Sequence, residues 1–335
     1  MRPLCVLSFA FLACLGLAGR ASTGGGSSPN APIRSAINKS LPLLQSLGPP
    51  FVEHAACSSC HHNSLPAMTV ALARSKGFKI DEDLRRRNAA ATLQAWSRYG
   101  ESIIEGTGRP NMALTASYTL VGLAADAQPP DPTTTAMVRF LAASQNSDGS
   151  WHSRANRPPM EYSDVTATAL CMRALQLYSP KGWAEQTARQ VARARAWLAA
   201  LQPESTEESA FQLLGLRWAD ADEARIGEAL KKLAARQRSD GGWAQLPTLE
   251  SDAYGTGQAL VALNQGGGVS PANPVYRRGV EFLIKTQHPD GSWFVQTRSF
   301  PIQAYFESGF PFGKSQFISA AATSWATMAL TLAIG

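Results

Sequence analysis

The chain has 335 residues, 44% of them hydrophobic and 17% charged. That composition supports a sizeable core and excludes a wholly disordered chain. The net charge of +6 is spread along the sequence, and its densest runs, Arg85 to Arg87 and Arg189, Arg193 and Arg195, fall in amphipathic helical patterns. They read as solvated helix faces, which argues against a nucleic-acid partner.

At the N-terminus, Arg2 precedes an uncharged apolar stretch from Pro3 to Ala18, followed by Gly19-Arg20-Ala21. This is the layout of a secretory signal over 1–21, and it predicts an exported, periplasmic protein. A lipoprotein signal using Cys14 is the alternative. Residues 22–31 are a flexible leader rich in Gly and Ser. After residue 20 no apolar run is long enough to span a bilayer, so no transmembrane anchor is expected once the signal is removed. Of the five cysteines, Cys5 and Cys14 fall in the signal, leaving Cys57, Cys60 and Cys171. Three cysteines do not make a disulfide framework. Cys171 reads as a small buried apolar side chain.

Helical periodicity then divides residues 32–335 into six pairs. The first helices run roughly 33–46, 81–99, 133–145, 185–202, 222–237 and 275–287, and they are amphipathic. In 222–237, for example, Ile226, Leu230 and Leu233 share one side while Lys231, Lys232 and Arg236 point elsewhere. The second helices run roughly 63–76, 112–125, 164–178, 206–219, 252–264 and 318–333. These are apolar nearly all round, as in residues 166–172 and 320–326, so they should be buried on every side. Leu170, Leu260 and Met328 are predicted core positions.

Three pairs share one signature: Gln145-Asn-Ser-Asp-Gly-Ser-Trp151, Gln237-Arg-Ser-Asp-Gly-Gly-Trp243 and Gln287-His-Pro-Asp-Gly-Ser-Trp293. Asp-Gly makes the tight turn that stops the helix, because Gly accepts a positive φ. The Trp can fold back over the helix end, and the Gln can satisfy backbone groups left open there. Alternating exposed and buried helices with an internal repeat predict an all-α fold, an (α/α)6 toroid of six helical hairpins in two concentric rings. Units one and four carry the signature least: unit one has no copy, and 202–206 lacks the Gly and the Trp.

These Gln–Asp-Gly–Trp repeats resemble the QW motifs of the terpenoid cyclase and protein prenyltransferase superfamily. The resemblance covers most of residues 81–335 and implies an (α/α)6 barrel. With residues 57–61 included, the whole chain resembles exported bacterial squalene-cyclase-like proteins that join such repeats to a Cys-x-x-Cys-His segment. Squalene–hopene cyclases protonate an alkene with an acidic box of the form D-x-D-D-T-A. The matching place here is Tyr162-Ser163-Asp164-Val165-Thr166-Ala167, where only Asp164 remains. Asp164 and Asp252 are thus the candidate acids of an enzyme acting on an apolar substrate in the toroid cavity. Both also read as caps at inner-helix starts. Prenyltransferases need Asp, Cys and His around zinc, and the repeats offer no such set.

Residues 57–61, Cys57-Ser58-Ser59-Cys60-His61, are the attachment sequence of a c-type haem. On this reading the loop at 54–63 carries haem c, Cys57 and Cys60 are thioether anchors, and His61 is the axial iron ligand. The implied function is an exported haem protein in electron transfer or in redox or ligand sensing, with an unidentified redox partner. Loop three (146–163) and the long loop six (288–317) should surround the group. Met160 is the candidate distal ligand, with His152, His288 and His54 behind it; Met68 and His62 are disfavoured. Two alternatives stay open. One is the cyclase-like enzyme with a small apolar ligand in the cavity. The other is a haem-free structural or interaction module, in which the Cys pair forms a disulfide or binds zinc with His61, His62 or His54.

Overall fold

In the computed structural model, residues 30–106, 111–301 and 304–334 are described. The expected signal and nearly all of the leader lie outside the described residues. The helices in chain order are α1 Ala31–Gln45, α2 Gly48–Ala55, α3 Leu65–Ser75, α4 Glu82–Ser97, α5 Gly100–Ile104, α6 Met112–Ala125, α7 Pro132–Ala143, α8 Asp164–Tyr178, α9 Ala184–Ala200, α10 Thr206–Trp218, α11 Glu223–Ala235, α12 Ala253–Val261, α13 Pro274–Thr286 and α14 Gln316–Leu332. The inner ring is α3, α6, α8, α10, α12 and α14; each packs on the next, and α14 packs back on α3. The outer ring is α1, α4, α7, α9, α11 and α13. The only strands among the described residues are Trp243–Ala244 and Ser251–Asp252, a two-stranded antiparallel ribbon. The fold is therefore the two-ring α/α toroid that the periodicity predicts.

Burial follows the two patterns. On α11 only Ile226, Ala229 and Leu233 are buried. On α14 nearly every residue from Gln316 to Thr331 is buried, because the helix has neighbours on all sides. Leu170, Cys171, Leu260 and Met328 are all core. Helix starts are set by short polar side chains. Asp252 Oδ1 accepts the Gly255 N–H at 2.8 Å, and Ser163 Oγ accepts that of Val165 at 3.1 Å. In unit four, which lacks the repeat, Ser205 and Glu208 form a reciprocal capping box instead.

The repeat is a stitch between units. The indole N–H of Trp151, Trp243 and Trp293 donates to the carbonyl of Leu141, Leu233 and Leu283, at 2.8, 2.9 and 2.9 Å, covering the end of its own outer helix. The Gln amide donates twice, once to the turn glycine carbonyl and once to the following outer helix: Gln145 to Gln190, Gln237 to Val275, and Gln287 to Ala36. The last of these closes the ring. Gly149, Gly241 and Gly291 have φ of 96°, 89° and 95°.

Two local features differ from the sequence reading. Residues 48–55 form a helix, because Pro49 and Pro50 occupy its first turn, where no donor is needed. The first inner helix starts at Leu65, not 63, because Cys60–Ser64 form a π-turn. Ser59 fixes that turn: its Oγ accepts the His62 N–H at 3.1 Å and its own N–H donates to Asn63 Oδ1 at 2.9 Å.

Candidate functional site

The connections from outer to inner helices gather at one end of the toroid, and there they enclose a cavity of about 510 Å³. Residues 57–61, residues 157–161 of loop three and residues 297, 299–301, 304 and 305 of loop six all line it, together with Phe51, Trp96, Thr115, Lys314, Phe317 and Ile318. Loops one, three and six thus converge as expected. Phe51 is the hub of the aromatic wall, with ring centroids 5.2 Å from His61, 4.9 Å from His62, 5.7 Å from Phe306 and 6.1 Å from Phe317.

The polar part of the wall is built on loop three. Arg157 and Glu161 exchange backbone hydrogen bonds of 2.9 and 3.0 Å, which folds Pro158, Pro159 and Met160 into a tight excursion. Their side chains also form an ion pair within the cavity wall. Asn111, held at φ 61° just before α6, donates from Nδ2 to Glu161 Oε2 at 3.0 Å, while its Oδ1 accepts from Ser153 and Arg154. Glu161 is the only carboxylate among the described residues lining the cavity. Ser299 Oγ donates to the Pro158 carbonyl at 2.7 Å and ties loop six to loop three.

The structure brings Cys57, Cys60, His61 and Met160 to this cavity, as the sequence reading placed them. Cys60 is buried with Sγ 4.0 Å from Glu161 Oε1, and burial followed by the nearby carboxylate pushes its thiol well up, so it stays protonated. His61 Nδ1 lies 2.6 Å from His62 Nδ1, and His62 Nε2 lies 2.8 Å from Ser308 Oγ. Burial lowers His61 to about 3, with Arg157 adding to the effect, and it also lowers His62. Both rings are neutral at neutral pH. Cys57, Cys60 and Cys171 are free thiols, and no group of three or more metal-ligating side chains gathers among the described residues.

The other candidates lie elsewhere. Asp164 accepts from the Ser153 N–H at 2.7 Å and pairs with His152, both on loop three and away from the cavity. Asp252 caps α12 and accepts from Gln245 at 2.7 Å; burial raises it to about 6. Neither lines the cavity. His54 stacks on Phe306, and His288 packs against Phe312. Glu161, Arg157 and Asn111 were not singled out from sequence. The one signal for them was an Arg and a Glu four apart around Pro-Pro-Met, in a loop predicted to be functional.

Comparison with known proteins agrees with this architecture. Residues 211–335 match the squalene-hopene cyclase C-terminal domain family. A drimenyl diphosphate synthase of Streptomyces showdoensis is 42% identical over 82 residues, which is 24% of this chain and 14% of that protein. A second, from Streptantibioticus cattleyicolor, is 38% identical over 77 residues, 23% of this chain and 13% of that protein. The matched stretch is thus a small part of those relatives. Among solved structures, the type II terpene cyclase MstE from Scytonema, in complex with geranylgeranyl dihydroxybenzoate as substrate, superposes with a TM-score of 0.55 at 15% identity, covering 91% of this chain and 97% of that one. A protein from Actinoplanes gives 0.56 at 15% identity, covering 90% and 100%. The chain is a terpenoid-cyclase-like α/α toroid. These similarities overturn the expectation of a haem protein whose function is electron transfer or sensing. They accord better with the cyclase-like alternative.

Proposed function

We propose that this terpenoid-cyclase-like toroid binds a linear prenyl-type substrate in the loop-end cavity and cyclises it by proton addition, in the manner of a type II terpene cyclase. The observation that carries the reading is Glu161, the only carboxylate among the described residues lining an otherwise largely apolar cavity. A cavity of about 510 Å³ falls within the range of small-molecule sites, about 300–1,000 Å³. The faces of Phe51, Trp96 and Phe317 supply π-electron density for a passing carbocation.

In the proposed reaction, the Glu161 carboxyl delivers a proton to a terminal alkene carbon. The alkene π pair forms the new C–H bond, and the cation left behind is attacked by the next alkene, forming a ring C–C bond. The last cation loses a proton to solvent water and Glu161 regains one from it, so the product is an isomer of the substrate. Arg157 and Asn111 orient the carboxyl through Oε2, and Cys60 faces Oε1.

The test is incubation of the purified protein with farnesyl diphosphate, geranylgeranyl diphosphate and squalene, with products read by gas chromatography and mass spectrometry. A cyclic isomer is expected from at least one of them. Glu161→Gln should retain substrate binding and lose turnover by about 10²-fold or more. Unchanged turnover in Glu161→Gln, or no cyclic product from any of the three, overturns the reading.

A further inference from the structure

The loop-end cavity carries a gradient of exposure. Phe51, Trp96 and Ile318 on its wall are buried, and Glu161 is only 8% exposed. Phe300 and Tyr305 line it too, at 88% and 53% exposed, and Lys314 is exposed beside them. The carboxyl thus lies toward the inner end and the lysine at the mouth. Among the described residues lining the cavity, three carry a charge at neutral pH: Arg157, Glu161 and Lys314. Arg157 and Glu161 pair with each other. Lys314 has no ion-pair or hydrogen-bond partner among the described residues. An ammonium without a counter-ion at the edge of an apolar wall attracts an anion more strongly than it would in open water, because the wall lowers the local dielectric.

Local structure sets this mouth. Gly313–Ser315 form a single turn leading into α14, with Gly313 at φ 50°. Ser315 and Gln316 are buried, while Lys314 between Gly313 and Ser315 stays exposed. Ser315 Oγ accepts the Thr297 N–H at 3.2 Å, which brings Thr297 of loop six beside the lysine's turn. Thr297 Oγ1 accepts the Ser299 N–H at 3.4 Å, so its own proton is left to donate. Glu307, the acid nearest to Lys314 in sequence, accepts the Tyr305 hydroxyl and does not line the cavity.

We propose that the substrate is a prenyl chain ending in an anionic group of the diphosphate type, and that Lys314, with the Thr297 hydroxyl beside it, holds that group at the mouth. The proposal deepens the reading above and rests on it for the role of Glu161. The chain enters tail first along Phe51, Trp96 and Phe317, and its terminal alkene reaches the buried carboxyl. The head stays at the solvent edge, where its charge keeps water and gains the ammonium, and no charge is carried into the apolar wall. A hydrocarbon such as squalene offers Lys314 nothing. Lys314 determines specificity by touching the head; it takes no part in the proton transfer, and no bond to the head is made or broken.

Calorimetric titration of the whole protein with farnesyl diphosphate, farnesol and inorganic diphosphate, in buffer free of divalent cations, tests this without needing turnover. Farnesyl diphosphate should bind at least about tenfold more tightly than either of the others, and its advantage over farnesol should shrink as salt rises. Lys314→Gln, at an exposed position, should fold normally, weaken farnesyl diphosphate at least about tenfold and leave farnesol unchanged. Lys314→Arg should keep the preference. Equal affinity for farnesyl diphosphate and farnesol in the wild type, inorganic diphosphate binding as tightly as farnesyl diphosphate, or a preference indifferent to Lys314→Gln overturns the proposal. So does a Lys314→Gln variant that weakens both prenyl ligands alike. Cyclisation of squalene without any preference for the diphosphate overturns this inference and leaves the cyclase reading standing. A preference set by Lys314 in a protein that cyclises nothing overturns the cyclase reading and leaves the anion site.

Discussion

The side-chain amide of Gln287 donates to the carbonyl of Ala36 at 2.9 Å, joining residues 251 positions apart. The same amide donates to Gly291 at 3.0 Å, so one side chain holds the turn after α13 and the first turns of α1 together. Gln145 and Gln237 make the same pair of bonds onto outer helices nearer in sequence. Of these three glutamines, Gln287 is the one that joins the end of the ring to its beginning. Replacing it with Ala should cost about 1–3 kcal/mol in urea unfolding, since a carbonyl loses its donor. Hydrogen exchange over α1 should rise more than exchange over α9 does in Gln145→Ala. Equal responses of α1 and α9 would show that the stitch is local and does not hold the ring shut.

Gly291 sets a second test of the same seam. At its φ of 95°, a Cβ would lie 2.5 Å from the Lys39 carbonyl oxygen. Gly291→Ala therefore incurs backbone strain of about 1–3 kcal/mol, and the clash with α1 adds to it. Gly182 is the control: its φ is not positive, and a Cβ there would meet nothing within 4 Å. Gly182→Ala should change the unfolding midpoint little, whereas Gly291→Ala should lower it clearly and expose α1 to proteolysis. Matching midpoints in the two variants would show that the seam tolerates a side chain at this turn.

The seam was legible in the sequence because its chemistry is local and repeated. Gln, Asp-Gly and Trp stand at fixed spacing, and each does in space what its type does at any helix end. The rings were legible because burial on one side or on all sides leaves a periodicity. The convergence of Cys57, Cys60, His61 and Met160 followed from ring order alone. What escaped is chemistry between units. Glu161 reads as one loop acid among several until Arg157 and Asn111 are placed beside it. Glu207 reads as a first-turn acid next to Glu208; only the ring geometry turns one of the two inward, to Thr166 and Tyr254, and leaves the other to cap Ser205. The reading as a haem protein of electron transfer failed for a related reason. A five-residue spacing says nothing of the protein around it, and residues 211–335 resemble a squalene-hopene cyclase C-terminal domain.

The paired histidines predict acid sensitivity. His61 falls from 6.5 to about 3 because burial penalises its charged form, so the unfolded chain binds more protons between those values. Stability should therefore fall as pH drops below about 6.5, by up to about 1.4 kcal/mol per pH unit for one group. His61→Phe, which preserves an aromatic ring against Phe51 and Phe317, should weaken that slope in urea titrations. An unchanged acid slope in this variant would show that His61 is not among the groups responsible.

Glu207 predicts the opposite limb. Its carboxyl rises from 4.5 to about 8 in the folded protein, chiefly because of burial. Between those values the folded state binds more protons than the unfolded one, so stability must fall as pH rises. The contribution is complete below about 4.5 and is gone once the pH passes about 8. Each pH unit in this window costs at most about 1.4 kcal/mol, which makes the sum a sizeable share of the stability of an ordinary domain. Glu207→Gln removes the titrating proton and keeps the shape. Its amide can still accept from Thr166 or Tyr254, so the variant should fold, and its urea midpoint should stay flat where the wild type declines toward alkaline pH. Tyr254→Phe should instead raise the Glu207 transition, because it deletes a hydrogen bond that lowers it, and so move the alkaline decline to higher pH. A decline of the same size in wild type and Glu207→Gln would mean that the carboxyl is already ionised in the folded ring at neutral pH.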